Sequence, residues 1–224
     1  MKNILITGAS GMLGGALCKE LSKYYNIYCT GKSSYKSFYY PYKKFNLSSN
    51  KYDELINWSN PNIIILSGAI TDGNYCNNNP SEANLINGTS VKKFLKSTKK
   101  NVKIIYISTD AVFSNKISMA KENDLTNPES IYGKSKELGE QYLINSNRKF
   151  IIIRTTIVGL NKFKNPEGFV DWIIKSSINK EKIKLFQDVI FNPISVWDLT
   201  KEILFLIKKS DFTNKILHIS GDQL

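Results

Sequence analysis

A chain of 224 residues can bury one sizeable core and carry a small second lobe. Its 31 Lys+Arg against 19 Asp+Glu give a net charge of +12. Those charges are mostly scattered Lys in a chain also rich in Asn, Ile and Tyr, which argues against a nucleic-acid or membrane patch and for a diffuse positive field that attracts phosphate-bearing substrates.

The first apolar run, Ile4-Leu5-Ile6, leads into Thr7-Gly8-Ala9-Ser10-Gly11-Met12-Leu13-Gly14. Leu13, Leu17 and Leu21 then repeat at i,i+4 spacing. Strand, glycine turn and helix in that order form the context of a dinucleotide phosphate loop. Gly8 permits the tight turn, Gly11 lets the backbone approach a pyrophosphate, and Gly14 lets the helix pack on the sheet. Ser10, Met12 and Leu13 belong to the same turn and helix N-terminus, whose free N–H groups and positive dipole end suit phosphate. The second strand, near Ile27 to Thr30, ends in Thr30-Gly31-Lys32-Ser33-Ser34. An NAD site usually carries an acid there. None is present, and Lys32 with the Ser33 hydroxyl suits a 2′-phosphate, so NADP(H) is the expected coenzyme and NAD(H) the alternative.

Three further continuous apolar runs follow: Ile63-Ile64-Ile65-Leu66, Ile104-Ile105-Tyr106-Ile107 and Ile151-Ile152-Ile153. Unbroken runs suit strands buried on both faces of a parallel sheet. Helical stripes separate them, Leu85, Val91, Phe94 and Leu95 before one and Leu138, Tyr142 and Leu143 before the next. The lysines from Lys92-Lys93 to Lys99-Lys100 read as a wet helix face. The alternation predicts an α/β protein with a doubly wound parallel sheet, the Rossmann fold, over residues 1–160.

Within the last of those helices, Tyr132 and Lys136 lie one turn apart on one face. A phenol titrates near ~10, and a nearby ammonium favours its ionised form. Such a pair can exchange a proton with a carbonyl or alcohol oxygen. In a chain this rich in Tyr and Lys the spacing also arises by chance on a solvated helix. Residues 161–224 read as a partial substrate lobe interleaved with the last strands. Asn161 to Gly168 is a loop, Phe169 to Ile178 a helix, Asp198 caps a helix to about Lys208, and Ile216 to Ile219 is a strand. His218, alone in that strand, reads as structural. Cys18, Cys29 and Cys76 are widely spaced and odd in number, which fits free thiols in a reducing compartment without a zinc site. With no signal-peptide pattern and no membrane-length apolar run, the expectation is a cytoplasmic protein.

The glycine loop, Ser108-Thr109-Asp110-Ala111-Val112-Phe113, Ile131-Tyr132-Gly133-Lys134-Ser135-Lys136 and Arg154-Thr155 together resemble the extended short-chain dehydrogenase/reductase family. The nearest group is the dTDP-4-dehydrorhamnose reductases. The resemblance implies an NADPH-dependent reductase of a nucleotide-linked 4-keto sugar, serving surface-polysaccharide synthesis. It makes Tyr132 the general acid, Lys136 the residue that holds the nicotinamide ribose and tunes Tyr132, and Thr109 a partner of the same substrate oxygen. Ser67, Gly68 and Ala69 would line the coenzyme and Asn46 would lie near the adenine. Asn87 resembles an asparagine that organises such sites, although a capping or solvent-facing amide is the plainer reading. Ala111 stands where the reductases carry Tyr and related dehydratases carry Glu, which disfavours dehydration. Phe163 to Val170 and Phe191-Asn192-Pro193 resemble segments flanking the sugar pocket. The family continues past Ile219, so the resemblance also implies an incomplete lobe, in a shortened or naturally short chain. An epimerase of the same family and a non-catalytic coenzyme-binding subunit are the other readings, and a homodimer is one option for assembly.

Overall fold

The computed structural model describes residues 1–34, 39–160, 168–184, 189–209 and 211–221. Among these, seven strands form one parallel sheet: β1 (Asn3–Thr7), β2 (Asn26–Gly31), β3 (Tyr42–Lys44), β4 (Ile63–Leu66), β5 (Lys103–Ser108), β6 (Phe150–Arg154) and β9 (Lys215–His218). A separate parallel pair consists of β7 (Ile157–Val158) and β8 (Ile194–Ser195). The helices are α1 (Met12–Leu21), α2 (Tyr52–Ser59), α3 (Gly73–Asn78), α4 (Pro80–Ala83), α5 (Ser90–Ser97), α6 (Ile131–Ile144), α7 (Phe169–Ile178) and α8 (Val196–Lys209). A π turn, Asn84–Thr89, joins α4 to α5.

The sheet order is β3-β2-β1-β4-β5-β6-β9, so the winding reverses between β1 and β4. The apolar runs are continuous because both faces are covered. On one face Ile4 and Ile6 meet Leu13, Leu17 and Leu21 of α1 and Leu199, Ile203 and Ile207 of α8. On the other, Leu5, Ile64, Ile104 and Ile152 meet Tyr52 and Leu55 of α2, Phe94 of α5 and Leu143 of α6. From the 161–224 segment, α8 packs on α1 and β9 extends the sheet beside β6.

Several details depart from the sequence reading. Strand β3 was not anticipated, because its three residues, Tyr-Lys-Lys, carry no apolar run. Ser195, not Asp198, caps α8: its hydroxyl accepts from Asp198 N at 3.1 Å and donates to Asp198 Oδ2 at 2.7 Å. Asp198 therefore sits in the first turn, where its charge suits the helix dipole. Cys18 and Cys29, eleven residues apart, bring their sulfurs to 3.1 Å across the α1–β2 interface as buried free thiols. No described helix is long and apolar enough to cross a membrane. The 163–167 part of the Phe163 to Val170 segment lies outside the described residues.

One buried ion pair ties the sheet to α6. Arg154, at the end of β6, holds Glu140 of α6 through three N–H···O contacts of 2.7 to 3.2 Å. The Ser108 hydroxyl donates to Glu140 Oε1 at 2.5 Å. Arg154 also donates to Glu122 O at 3.3 Å, and Glu122 Oε1 accepts from His218 N at 3.0 Å. The chain of contacts thus links β5, α6, β6 and β9. His218 serves it through its backbone, while its ring packs edge-on against Phe113. Burial lowers the His218 pKa and favours the neutral ring. Both charges of the Glu140–Arg154 pair are out of water, so removing one leaves the other uncompensated. Arg154→Met is expected to cost about 3–5 kcal/mol in urea unfolding, and adding Glu140→Gln should recover much of it.

Candidate active site

Each parallel strand ends at the same edge of the sheet, so the loops after β1, β2, β3, β4 and β5 converge there. With α6 they enclose a cavity of about 690 Å³, within the range of small-molecule and cofactor sites. The predicted catalytic and coenzyme-binding residues line it: Gly8, Ser10, Gly11, Met12, Leu13, Gly14, Lys32, Ser33, Asn46, Ser67, Gly68, Ala69, Thr109, Tyr132 and Lys136. Asn87 and Phe191-Asn192-Pro193 do not. The latter meets the chain's final described turn, with Asn192 Nδ2 donating to Ser220 Oγ at 3.2 Å.

The glycine loop has the features a dinucleotide requires. Gly8 has φ +67, and a Cβ there would lie 2.6 Å from Gly68 Cα, so the loops after β1 and β4 touch backbone to backbone. The contact is tied by Ser67 Oγ donating to Thr7 O at 2.6 Å and Gly68 N donating to Thr7 Oγ1 at 3.1 Å. A Cβ on Gly14 would meet Gly8 O at 2.2 Å. Gly11 precedes helix α1 and offers no side-chain cap, and the helix has no acid in its first turn. Its terminal N–H groups are left for an anion. At the far end Tyr42 Oη donates to Ser33 O at 2.6 Å, fixing the turn that carries Lys32 and Ser33. Asn46 Oδ1 accepts from Ser48 N at 3.1 Å, so its amide nitrogen is the group left to face a ligand. These residues fit a dinucleotide.

At the other end lie Thr109, Tyr132 and Lys136. Ser130 caps α6 by accepting from Gly133 N at 3.0 Å. Gly133 is the contact point with the turn after β5, since a Cβ there would lie 2.1 Å from Ala111 O. This apposition brings Thr109 beside Tyr132. Burial pushes Tyr132 up to about 12, a hydrogen bond with Thr109 draws it partly back, and Asp110 and Cys76 add to the rise. Lys136 is only 2% exposed, and the same burial lowers it to about 7, with Glu140 opposing. The expected lowering of Tyr132 by Lys136 is not among these causes; desolvation dominates the phenol.

Asp110 is the residue the sequence reading passed over. Its Oδ1 accepts from Thr109 Oγ1 at 3.0 Å and its Oδ2 from Thr156 Oγ1 at 2.7 Å. The Thr109 hydroxyl thus gives its hydrogen to Asp110, while its oxygen accepts from Ala111 N at 3.2 Å. Asn87 was also undervalued. It is buried, and its amide bonds both Ile70 N and Ile70 O at 2.8 and 2.9 Å and the Ser135 hydroxyl at 2.9 Å. It holds the loop after β4 against α6 from behind the cavity.

A family model described as "RmlD substrate binding domain" matches residues 1–224. The chain belongs to that family. It is 30% identical over 224 residues to the spore coat polysaccharide biosynthesis protein SpsK of Bacillus subtilis, covering 99% of this chain and 74% of the relative. A dTDP-4-dehydrorhamnose reductase of Aggregatibacter actinomycetemcomitans is 27% identical, with 93% and 68% covered. The solved dTDP-4-dehydrorhamnose reductase of Bacillus anthracis, in complex with NADP, superposes with a TM-score of 0.86 at 28% identity, over 100% of this chain and 76% of that one. The doubly wound α/β fold is thus the family's.

The Lys136 pKa has a consequence for stability. Below about pH 7 both folded and unfolded chains hold this proton, and the folded one bears the cost of a buried charge. Between about 7 and the ordinary 10.5 the unfolded chain binds more protons, so this group's contribution to stability rises with pH. Lys136→Met is therefore expected to be more stable than the parent near pH 6.5, with the gap closing toward pH 10. Urea midpoints at the two pH values measure it.

Proposed function

We propose that this chain reduces the 4-keto group of a nucleotide-linked sugar, with NADPH as the hydride source and Tyr132 as the proton source. The chain is an NAD(P)-dependent oxidoreductase by family. The observation that carries the finer reading is the meeting of Thr109, Tyr132 and Lys136 in the same cavity as the glycine loop. Gly8, Gly11 and the α1 N-terminus would hold the pyrophosphate, Lys32 and Ser33 the 2′-phosphate, and Ser67 to Ala69 the wall beside it. When bound, the coenzyme supplies the hydride.

Tyr132 keeps its proton at neutral pH, as an acid must before the reaction. At about 12 it is still a stronger acid than an alcohol, whose pKa is near that of water, ~15.7. It can therefore give its proton to the oxygen as negative charge develops there. Thr109 would donate to the same oxygen once its hydroxyl turns from Asp110, and Lys136 provides positive charge within the enclosed site. Ala111 offers no side-chain acid or base at the position where related dehydratases carry Glu, which disfavours elimination. A relative named for spore coat polysaccharide and another for dTDP-4-dehydrorhamnose reduction support a nucleotide sugar as the substrate class and surface polysaccharide as the destination.

NADPH consumption over a panel of nucleotide 4-keto sugars should be stoichiometric with reduced product, which separates net reduction from epimerisation. Tyr132→Phe is expected to lower kcat about 10²- to 10⁴-fold with little change in coenzyme affinity. Equal turnover by the two proteins would remove Tyr132 from this role. Lys32→Asp should turn coenzyme preference from NADPH toward NADH, measured as the ratio of kcat/KM values, because a carboxylate there repels the 2′-phosphate.

A further inference from the structure

Lys136 is buried, and among the described residues its ammonium lies against the ring of Tyr106 from β5, 4.1 Å from nitrogen to centroid. Around that ring the fold has made room and fixed the phenol at its hydroxyl. Tyr106 is 2% exposed. Its hydroxyl is shared between Asn87 O at 2.9 Å in the π turn and Lys136 O at 3.1 Å in α6. A Cβ at Gly139, one turn after Ser135, would lie 2.4 Å from Tyr106 Oη, so α6 is hollowed at that point to admit the phenol. The ring is thereby held by three elements, and its face is turned to the ammonium.

We propose that Tyr106 is a positioning residue for the reaction, its ring face keeping the Lys136 ammonium charged and fixed beside Tyr132. A ring face suits the task better than a carboxylate would. It attracts a desolvated cation through its quadrupole, yet it neither neutralises the charge nor ties up a directed N–H bond, so the ammonium's donors remain for the cavity. The carboxylate on the same helix, Glu140, is already engaged by Arg154 and Ser108. The titratable groups that line the cavity with Lys136 are Tyr132, Asp110 after β5 and Glu82 in α4, with Cys76 of α3 close enough to Tyr132 to raise it; farther along the elements packed on α6 stand Tyr75 of α3, Lys92, Lys93 and Lys96 of α5 and Lys103 of β5. Among the described residues none of these groups forms an ion pair or hydrogen bond with the Lys136 ammonium, whose close contact is the Tyr106 ring.

This inference rests on the reductase reading for its purpose, but its test does not. The ε-methylene resonance of labelled lysine, assigned through Lys136→Met, reports the titration of Lys136 in the coenzyme-free protein. Tyr106→Phe keeps the ring and should leave the midpoint within a few tenths of a unit. Pentafluorophenylalanine at 106 keeps the shape but drains the ring's negative face, and Tyr106→Leu removes it. Each should lower the midpoint by about one unit. In turnover the same two proteins should lose the alkaline end of the kcat profile at correspondingly lower pH, with the sugar KM little changed. A midpoint that stays put with the fluorinated ring overturns the proposal. So does a Tyr106→Phe shift as large as that of Tyr106→Leu, which would assign the effect to the hydroxyl clamp. If the midpoints move as expected while no keto sugar consumes NADPH, the substrate reading fails and the role of Tyr106 stands.

Discussion

Parallel pairing on both sides of β1 constrains everything else in this molecule. Strands that run the same way must return by crossovers, so their C-terminal loops collect at one edge. Because the winding reverses between β1 and β4, two of those loops part and leave a crevice. The crevice floor is the Gly8–Gly68 contact, which no side chain could enter. The site therefore needs little special architecture. It uses the edge that a doubly wound sheet leaves open, and the glycines decide how near a ligand's phosphates can come to the backbone.

The chemistry at the other end is a contest between desolvation and partners. Burial raises Tyr132 and lowers Lys136, each toward its neutral form. A protonated phenol is what a reductase acid should be. A lysine poised near neutrality is more delicate, since its charge is the asset. The surrounding structure answers with the Tyr106 face and the Glu140 carboxylate. The latter cannot fully compensate, because Arg154 holds it for a different purpose, joining α6 to the sheet. The same helix thus carries a structural ion pair and a reactive pair one turn apart, and separate partners keep them from merging.

Much of the frame was legible from local sequence. Continuous isoleucine runs announced buried parallel strands, and the Gly8-to-Gly14 spacing announced the turn and helix packing later seen as close backbone contacts. What stayed hidden was long-range or aperiodic. Tyr42-Lys43-Lys44 is a strand only because β2 offers an edge to pair with. The Asn-rich stretch from Gly73 to Ala83 gives no apolar period, so α3 and α4 could not be read from it, and the stripe that starts at Leu85 does not reveal that its first turn is a π turn. Asn87 looked like one amide among many, and only the folded chain shows it buried between Ile70 and Ser135. Cys18 and Cys29 are unremarkable in sequence, since helix-to-strand packing alone brings their sulfurs together.

The π turn has an implication for how this stretch tolerates change in length. Each helical residue turns the chain by about 100°, so the wider turn at Asn84–Thr89 offsets the faces of α4 and α5 relative to an unbroken α-helix. The carbonyl of Asn87 reaches Tyr106 and its amide reaches Ile70 only at this phase. Deleting one residue here would produce a more regular helix by every local measure. It would also swing Asn87 out of its slot and release the loop after β4. The irregularity acts as a phase marker, and a homologous helix of ordinary pitch would have to anchor that loop by other means.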